Sequence, residues 1–248
     1  MPLVPVNKLK KTEIVWLSHH YCRHGHTYLD HFNCFLDECG KDWEPKRGVN
    51  MPMLNRIGFF DIETSHLKAD FGVMLSYCIK DSQSDKIYER TIKKKEIISK
   101  ILDKNVVEQC IEDLKKFDRI VTYYGTKFDI PFVRTRTMFH QARIRKGIYK
   151  GSLDKLKFPE YSELIHQDVY YMVRNKFNLS SNRLENACNI IIGGSDKTKI
   201  DKDHWLWATG GKKESLDYIV DHCRKDVTDL EKLYNAVTGF VMRSDRSI

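Results

Sequence analysis

Ile57–Glu63 reads IGFFDIE, and the fold follows from how this stretch is read. It is short, rich in β-branched and aromatic residues, and bounded by polar sequence, which predicts a strand. Side chains along a strand leave alternate faces, so Phe60 and Ile62 point into a core while Asp61 and Glu63 leave together on the other side. Downstream, Val73–Ile79 (VMLSYCI) and Lys86–Ile92 predict two more strands, separated by the turn-rich Asp81–Asp85, so the three read as an antiparallel meander. Apolar residues at 106, 107, 111, 114 and 117 then predict a helix over Val106–Phe117. Arg119–Tyr124 reads as a fourth strand, delivered by that helix through a crossover connection. Ile130–Gln141 predicts a helix with Pro131 in its first turn. Ile148–Ile192 reads as helical with loops, and Lys197–Lys213 as a polar loop holding Trp205 and Trp207. The last element is a helix whose apolar face runs from Leu216 to Val237, with Gly239 at its end. Strands alternating with helices place the chain in the α/β class.

Three pieces carry candidate chemistry. Asp61 and Glu63 are two anions side by side, which repel each other and favour a retained proton unless a divalent cation lies between them. A lone D-x-E also serves simply to cap the exposed end of a strand. Tyr123–Asp129 (YYGTKFD) takes an apolar strand through a glycine turn to an acid at a helix start, where Asp129 could equally be an N-cap before Pro131. In the last helix His222 and Asp226 are one turn apart and share a face, as an ordinary surface pair would.

Taken in this order, Asp61-Ile62-Glu63, Gly125-x-x-Phe128-Asp129 and a helical His222-x-x-x-Asp226 resemble the three motifs of the DEDD-superfamily, ribonuclease-H-like 3′–5′ exonucleases. The resemblance spans residues 56–238 and is nearest the prokaryotic and phage group of the tyrosine-type branch. It implies a mixed β-sheet flanked by helices and a metal-dependent nuclease, a 3′–5′ exonuclease acting on DNA more readily than RNA. It also implies two Mg²⁺ or Mn²⁺ ions held by Asp61, Glu63, Asp129 and Asp226. Asp61 would bridge, Glu63 and Asp226 would serve one ion, and Asp129 the second through water. Hard divalent ions prefer carboxylate oxygens, and a metal pair activates water and stabilises the leaving oxygen of a phosphodiester. Two departures are visible. The tyrosine-type branch has Tyr where this chain has His222, and the histidine-type branch places its base one residue earlier, where this chain has Asp221. His222 is thus a candidate general base in the tyrosine slot. The Asn usual before the middle glycine is Tyr124, and the resemblance places Thr64, Tyr124 and Phe128 toward substrate. Asp168 resembles an acid found between the second and third motifs, although a helix-start role explains it as well. Alternative readings are a catalytically inactive nucleic-acid-binding protein on the same fold, or an RNase or structure-specific endonuclease.

The chain has 248 residues, enough for one α/β domain with a small appendage. Its formal net charge of +8 favours a polyanionic partner, and its mean hydropathy of −0.51 suits a soluble protein. No run is long and apolar enough to span a membrane, and no secretory leader precedes the seven cysteines. The expected setting is cytoplasmic and reducing, with association to a nucleoid or to phage replication one option. Protein partners are not legible.

Residues 1–50 read as a separate Cys/His-rich segment, with Lys41–Asn55 as linker and 51–248 as the nuclease domain. Between His19 and Cys39 lie five of the ten His and three of the seven Cys. Cys22, His24, His26, His31, Cys34 and Cys39 are candidate ligands for one structural Zn²⁺, using Cys22, Cys34 and two of the others. The spacing matches no standard finger. The alternative is a segment in which Trp16, Leu17, Tyr28, Phe32, Phe35 and Leu36 pack and the histidines face solvent.

Overall fold

Strand β1, Ile57–Thr64, is the centre from which the rest is built. A computed structural model describes residues 11–32, 34–35, 56–160, 163–195, 201–240 and 246–247. The chain divides into two compact units, Met1–Asn55 and Arg56–Ile248. The expected linker at 41–55, and Cys39 and Leu36, lie outside the described residues.

In the larger unit β1 is flanked by antiparallel β2 (Met74–Asp81), which pairs with β3 (Ile87–Thr91), so the expected meander forms. On its other side β1 pairs in parallel with β4 (Arg119–Thr122), which pairs in parallel with β5 (Ile165–Asp168). A short β6 (Arg246–Ser247) closes the sheet antiparallel to β5, giving the order β3-β2-β1-β4-β5-β6. The helices, numbered after α1 (Lys11–His19) in the smaller unit, are α2 (Lys94–Ile97), α3 (Lys104–Leu114), α4 (Asp129–Arg145), α5 (Val169–Lys176), α6 (Leu184–Ile191), α7 (Lys202–Thr209) and α8 (Lys213–Val237).

Alternation along the strands sorts the core into two layers. Phe60 and Ile62 of β1, Leu75, Tyr77 and Ile79 of β2 and Ile120 of β4 pack with α3 and α4. Phe59, Cys78 and Val121, one residue out of phase, pack with α5, α6 and α8. This mixed sheet with helices on both faces is the expected α/β architecture. Asp61 and Glu63 share the phase of Phe59, so they emerge on the side that α8 covers.

Two stretches differ from the reading of the sequence. Ile165–Asp168 is a strand although IHQD has no apolar run. It is held by parallel pairing with β4, and Thr122 Oγ1 bonds His166 Nε2 at 2.8 Å. Asp201–Thr209, read as loop, forms α7, because Asp201 accepts the N–H groups of Asp203 and His204 as an N-cap.

A buried polar knot pins α4 to the sheet. Asp103, just ahead of α3, accepts from Arg136 Nε at 2.9 Å, from His140 Nε2 at 2.8 Å and from the Met74 N–H at 2.8 Å. His140 Nδ1 in turn accepts from the Tyr149 hydroxyl, and Arg136 also reaches the Ala69 carbonyl at 3.0 Å. Burial pushes the Asp103 carboxyl up, but the bonds from His140 and Arg136 outweigh it and hold it below its usual range. His140 is lowered, by burial first, and sits neutral with its proton on Nε2. No helix among the described residues is long and apolar enough to cross a membrane.

Removing one partner of a buried ion pair strands the other charge, so Asp103→Ala is expected to cost about 3–5 kcal/mol in urea unfolding. A loss below about 1 kcal/mol would show the knot to be no more than a surface-grade contact.

Candidate active site

Parallel pairing of β1 with β4 ends at Phe59↔Val121, yet β1 runs on to Thr64. Beyond Val121 the chain of β4 leaves the sheet through Tyr123–Phe128, and the gap it opens is where the acids meet. Gly125 is required in that turn. A Cβ there would lie 2.3 Å from Thr122 Oγ1, far inside contact distance. Tyr124 adopts φ +67, the left-handed region that bulky side chains rarely enter. Asp168 secures this geometry. Its Oδ1 accepts the Tyr124 N–H at 2.8 Å and its Oδ2 the Thr126 N–H at 2.9 Å, while it also caps α5 through the Tyr170 N–H at 3.1 Å. The helix-start role is therefore present together with a second one, a clamp on the turn before Asp129.

The turn delivers Asp129 as the first residue of α4, with Phe128 in the capping position. Asp129 Oδ1 accepts the Ile62 N–H at 3.1 Å, taking the place of a strand partner for the free stretch of β1. Asp129 is 2% exposed. Burial pushes its carboxyl up to about 7, two backbone N–H bonds oppose this, and the nearby Asp168 and Asp226 add to the rise. From the opposite side α8 presents His222 and Asp226, both buried. One ligand atom each from Glu63, His222 and Asp226 lie within 4.8 Å of one another. Asp61 lines the same cleft, and Cys223 of α8 donates to its Oδ2 at 3.4 Å. The cleft has a volume of about 220 Å³, and Tyr124, Phe128 and Trp205 join the acids in its wall.

All five expected catalytic residues, Asp61, Glu63, Asp129, His222 and Asp226, line this one cleft. Of the three placed toward substrate, Tyr124 and Phe128 line it. Thr64 instead is buried and its hydroxyl donates to the His66 carbonyl at 3.1 Å. Trp205 stands edge-on to the His222 ring at 5.7 Å, and its indole N–H donates to the Thr64 carbonyl at 3.2 Å. Trp207 lies outside the cleft beneath Lys212. Sequence reading missed the support that Cys223 gives Asp61, because a cysteine on the apolar face of a helix carries no signal beyond burial. In the smaller unit the structure brings together Cys22, His24, His31 and Cys34 but not His26.

The family model described as RNase_H superfamily matches residues 58–238. A DNA polymerase of Methanocaldococcus jannaschii is 27% identical over 114 residues, which are 42% of this chain and 7% of that protein. The family B DNA polymerase of the hyperthermophilic archaeon Pyrobaculum calidifontis superposes with a TM-score of 0.56 at 15% identity, covering 77% of this chain and 26% of that one. The chain therefore spans only a small share of the polymerases it matches, and the structural likeness is one of fold.

The raised Asp129 carboxyl has a defined consequence for the metal-free protein. An acid with a folded pKa above its unfolded value stabilises the fold at low pH, and that contribution is lost as pH rises through about 7. In EDTA, the melting temperature of the wild type is expected to fall between about pH 4 and 7, and Asp129→Asn to flatten the decline. Mn²⁺ should raise the melting temperature more at the upper end of that range, since binding requires the ionised acid. A pH profile identical in wild type and variant would show that Asp129 does not titrate there.

Proposed function

Since the chain belongs to the RNase_H superfamily, we propose that it is a divalent-metal-dependent nuclease, acting as a 3′–5′ exonuclease on DNA. The observation that carries this reading is the meeting of Asp61, Glu63, Asp129 and Asp226, from three elements far apart in sequence, in one cleft with His222. The donor set fits hard cations. Carboxylate oxygens dominate it, and those of Glu63 and Asp226 are already close enough to share an ion. Bound there, Mg²⁺ or Mn²⁺ would lower the pKa of a water and stabilise the oxygen that leaves phosphorus.

The chain's own groups have separable tasks. Asp61 and Glu63, fixed by strand pairing to β2, and Asp226, fixed by the packing of α8, hold charge in place. Asp129 must lose its proton before it can join them. His222 takes the proton of the attacking water as general base, its ring oriented by Trp205. Tyr124 and Phe128 give the cleft an aromatic rim suited to the faces of unpaired bases. The likeness to a protein titled DNA polymerase supports DNA as substrate, and the three-motif resemblance supports cleavage from a 3′ end.

End-labelled single-stranded DNA should be shortened stepwise from its 3′ end in Mg²⁺ or Mn²⁺, with EDTA stopping the reaction. Asp61→Ala or Asp226→Ala should reduce the rate by at least about 10³-fold. RNA and forked duplex run in parallel separate the alternative substrates, and binding without cleavage of any of them would sink the enzyme reading. His222→Ala should slow turnover by about 10²-fold with Mn²⁺ affinity retained in calorimetry. A parallel loss of Mn²⁺ affinity would make His222 a ligand rather than a base.

A further inference from the structure

The smaller unit contains four side chains that the nuclease reading does not use. Cys22 lies in a tight turn closed by the bonds Gly25 N–H to Cys22 carbonyl and Cys22 N–H to His26 carbonyl, both 2.9 Å. Gly25 takes φ +81 there, a conformation open to glycine at little cost. An antiparallel bridge between Tyr21 and Thr27 holds the turn, and places His24 at its tip. His31 and Cys34 come from a second turn, in which the Cys34 N–H donates to the His31 carbonyl at 3.0 Å.

Between these turns the sulfur–nitrogen separations are 3.9 Å for Cys22–His24, 3.6 Å for Cys22–His31, 3.2 Å for Cys34–His24 and 3.4 Å for Cys34–His31, each to Nδ1. Tetrahedral zinc, with bonds of about 2.3 Å to sulfur and about 2.05 Å to nitrogen, sets sulfur and nitrogen about 3.6 Å apart. The four separations bracket that value. Hydrogen bonds through S–H and Nδ1–H protons would have to be shared among the four contacts, whereas one cation at the centre engages all four.

We propose that Cys22, His24, His31 and Cys34 bind one Zn²⁺, both histidines through Nδ1, and that this ion holds the smaller unit folded. Among the described residues its buried apolar group is Leu17, Cys22, Tyr28, Cys34 and Phe35, with Trp16, Leu29 and Phe32 packed against them. Two of the five buried members are the proposed ligands. An ion joining the two turns would add a cross-link to that group. The sequence could supply the ligand types but not the choice among them, because the pattern Cys-x-His-x6-His-x2-Cys depends on two turns that place His26 outside the group.

The test uses the full chain. Metal analysis of protein purified without added metal should give about one zinc per chain. In Asp61→Ala/Asp226→Ala protein, where the carboxylate cleft cannot retain an ion, that content should persist. Cys22→Ser and Cys34→Ser should each lower it by about tenfold or more, and His26→Ala should leave it unchanged. Since the serine variants could lose zinc merely by unfolding, Co²⁺-exchanged wild type supplies a second readout. It should show thiolate-to-cobalt charge transfer with the intense d–d bands of a tetrahedral site, and its Cys22 and Cys34 should resist alkylation until a chelator is added. A cobalt spectrum without thiolate bands, zinc retained by the serine variants, or alkylation of both cysteines at the unprotected rate would each overturn the proposal.

Discussion

Carboxylates cannot be gathered into a cleft walled by apolar side chains unless something compensates their mutual repulsion and lost hydration. This constraint governs the larger unit. Asp61 and Glu63 are forced to one side by the two-residue period of β1, Asp226 is brought over them by the docking of α8, and Asp129 is buried against the Ile62 N–H at the cleft wall. The protein meets part of the cost itself, through backbone N–H groups and a carboxyl that keeps its proton to about neutral pH. On the proposed reading, a bound divalent cation would meet more of that cost. Carboxylates gathered in this way suit a divalent cation, which is the basis of the metal-dependent reading proposed above.

Such an assembly needs a rigid frame. The Asp103–Arg136–His140 knot ties the middle of α4 to the start of α3 and to β2, while Asp168 ties the turn ahead of α4 to β5. Asp129 therefore sits at the end of a helix fixed at two points. Hydrogen-bonded ionic contacts contribute here more to position than to net stability, since a buried pair recovers little beyond its own desolvation.

The central strand, the meander and the last helix were legible because their apolar residues recur at periods of two and of three to four, and the acids stood out against those periods. Strand β5 was not legible. IHQD is polar, and its conformation comes from pairing with β4 and from the bond between Thr122 and His166. Helix α7 was hidden because its apolar content is two tryptophans, a leucine and an alanine, of which Trp207 and Leu206 face outward. Within the site the identities of the acids could be read from motif order. The double duty of Asp168 and the sulfur contact on Asp61 depend on three-dimensional closeness with no local pattern behind it. The Cys/His group was visible as a collection of ligand types, and the selection of four from the five described candidates required the turns.

Tyr124 carries one more implication. Its left-handed backbone costs a residue of its bulk about 1 kcal/mol or more, whereas Asn, usual at this point of the motif, enters that region readily. Its ring, 44% exposed and set edge-on to Tyr170, gives little packing in return. Laboratory evolution for heat resistance alone should accordingly discard this aromatic early. Its persistence under simultaneous demand for the proposed nuclease activity would measure what the ring is worth to that activity.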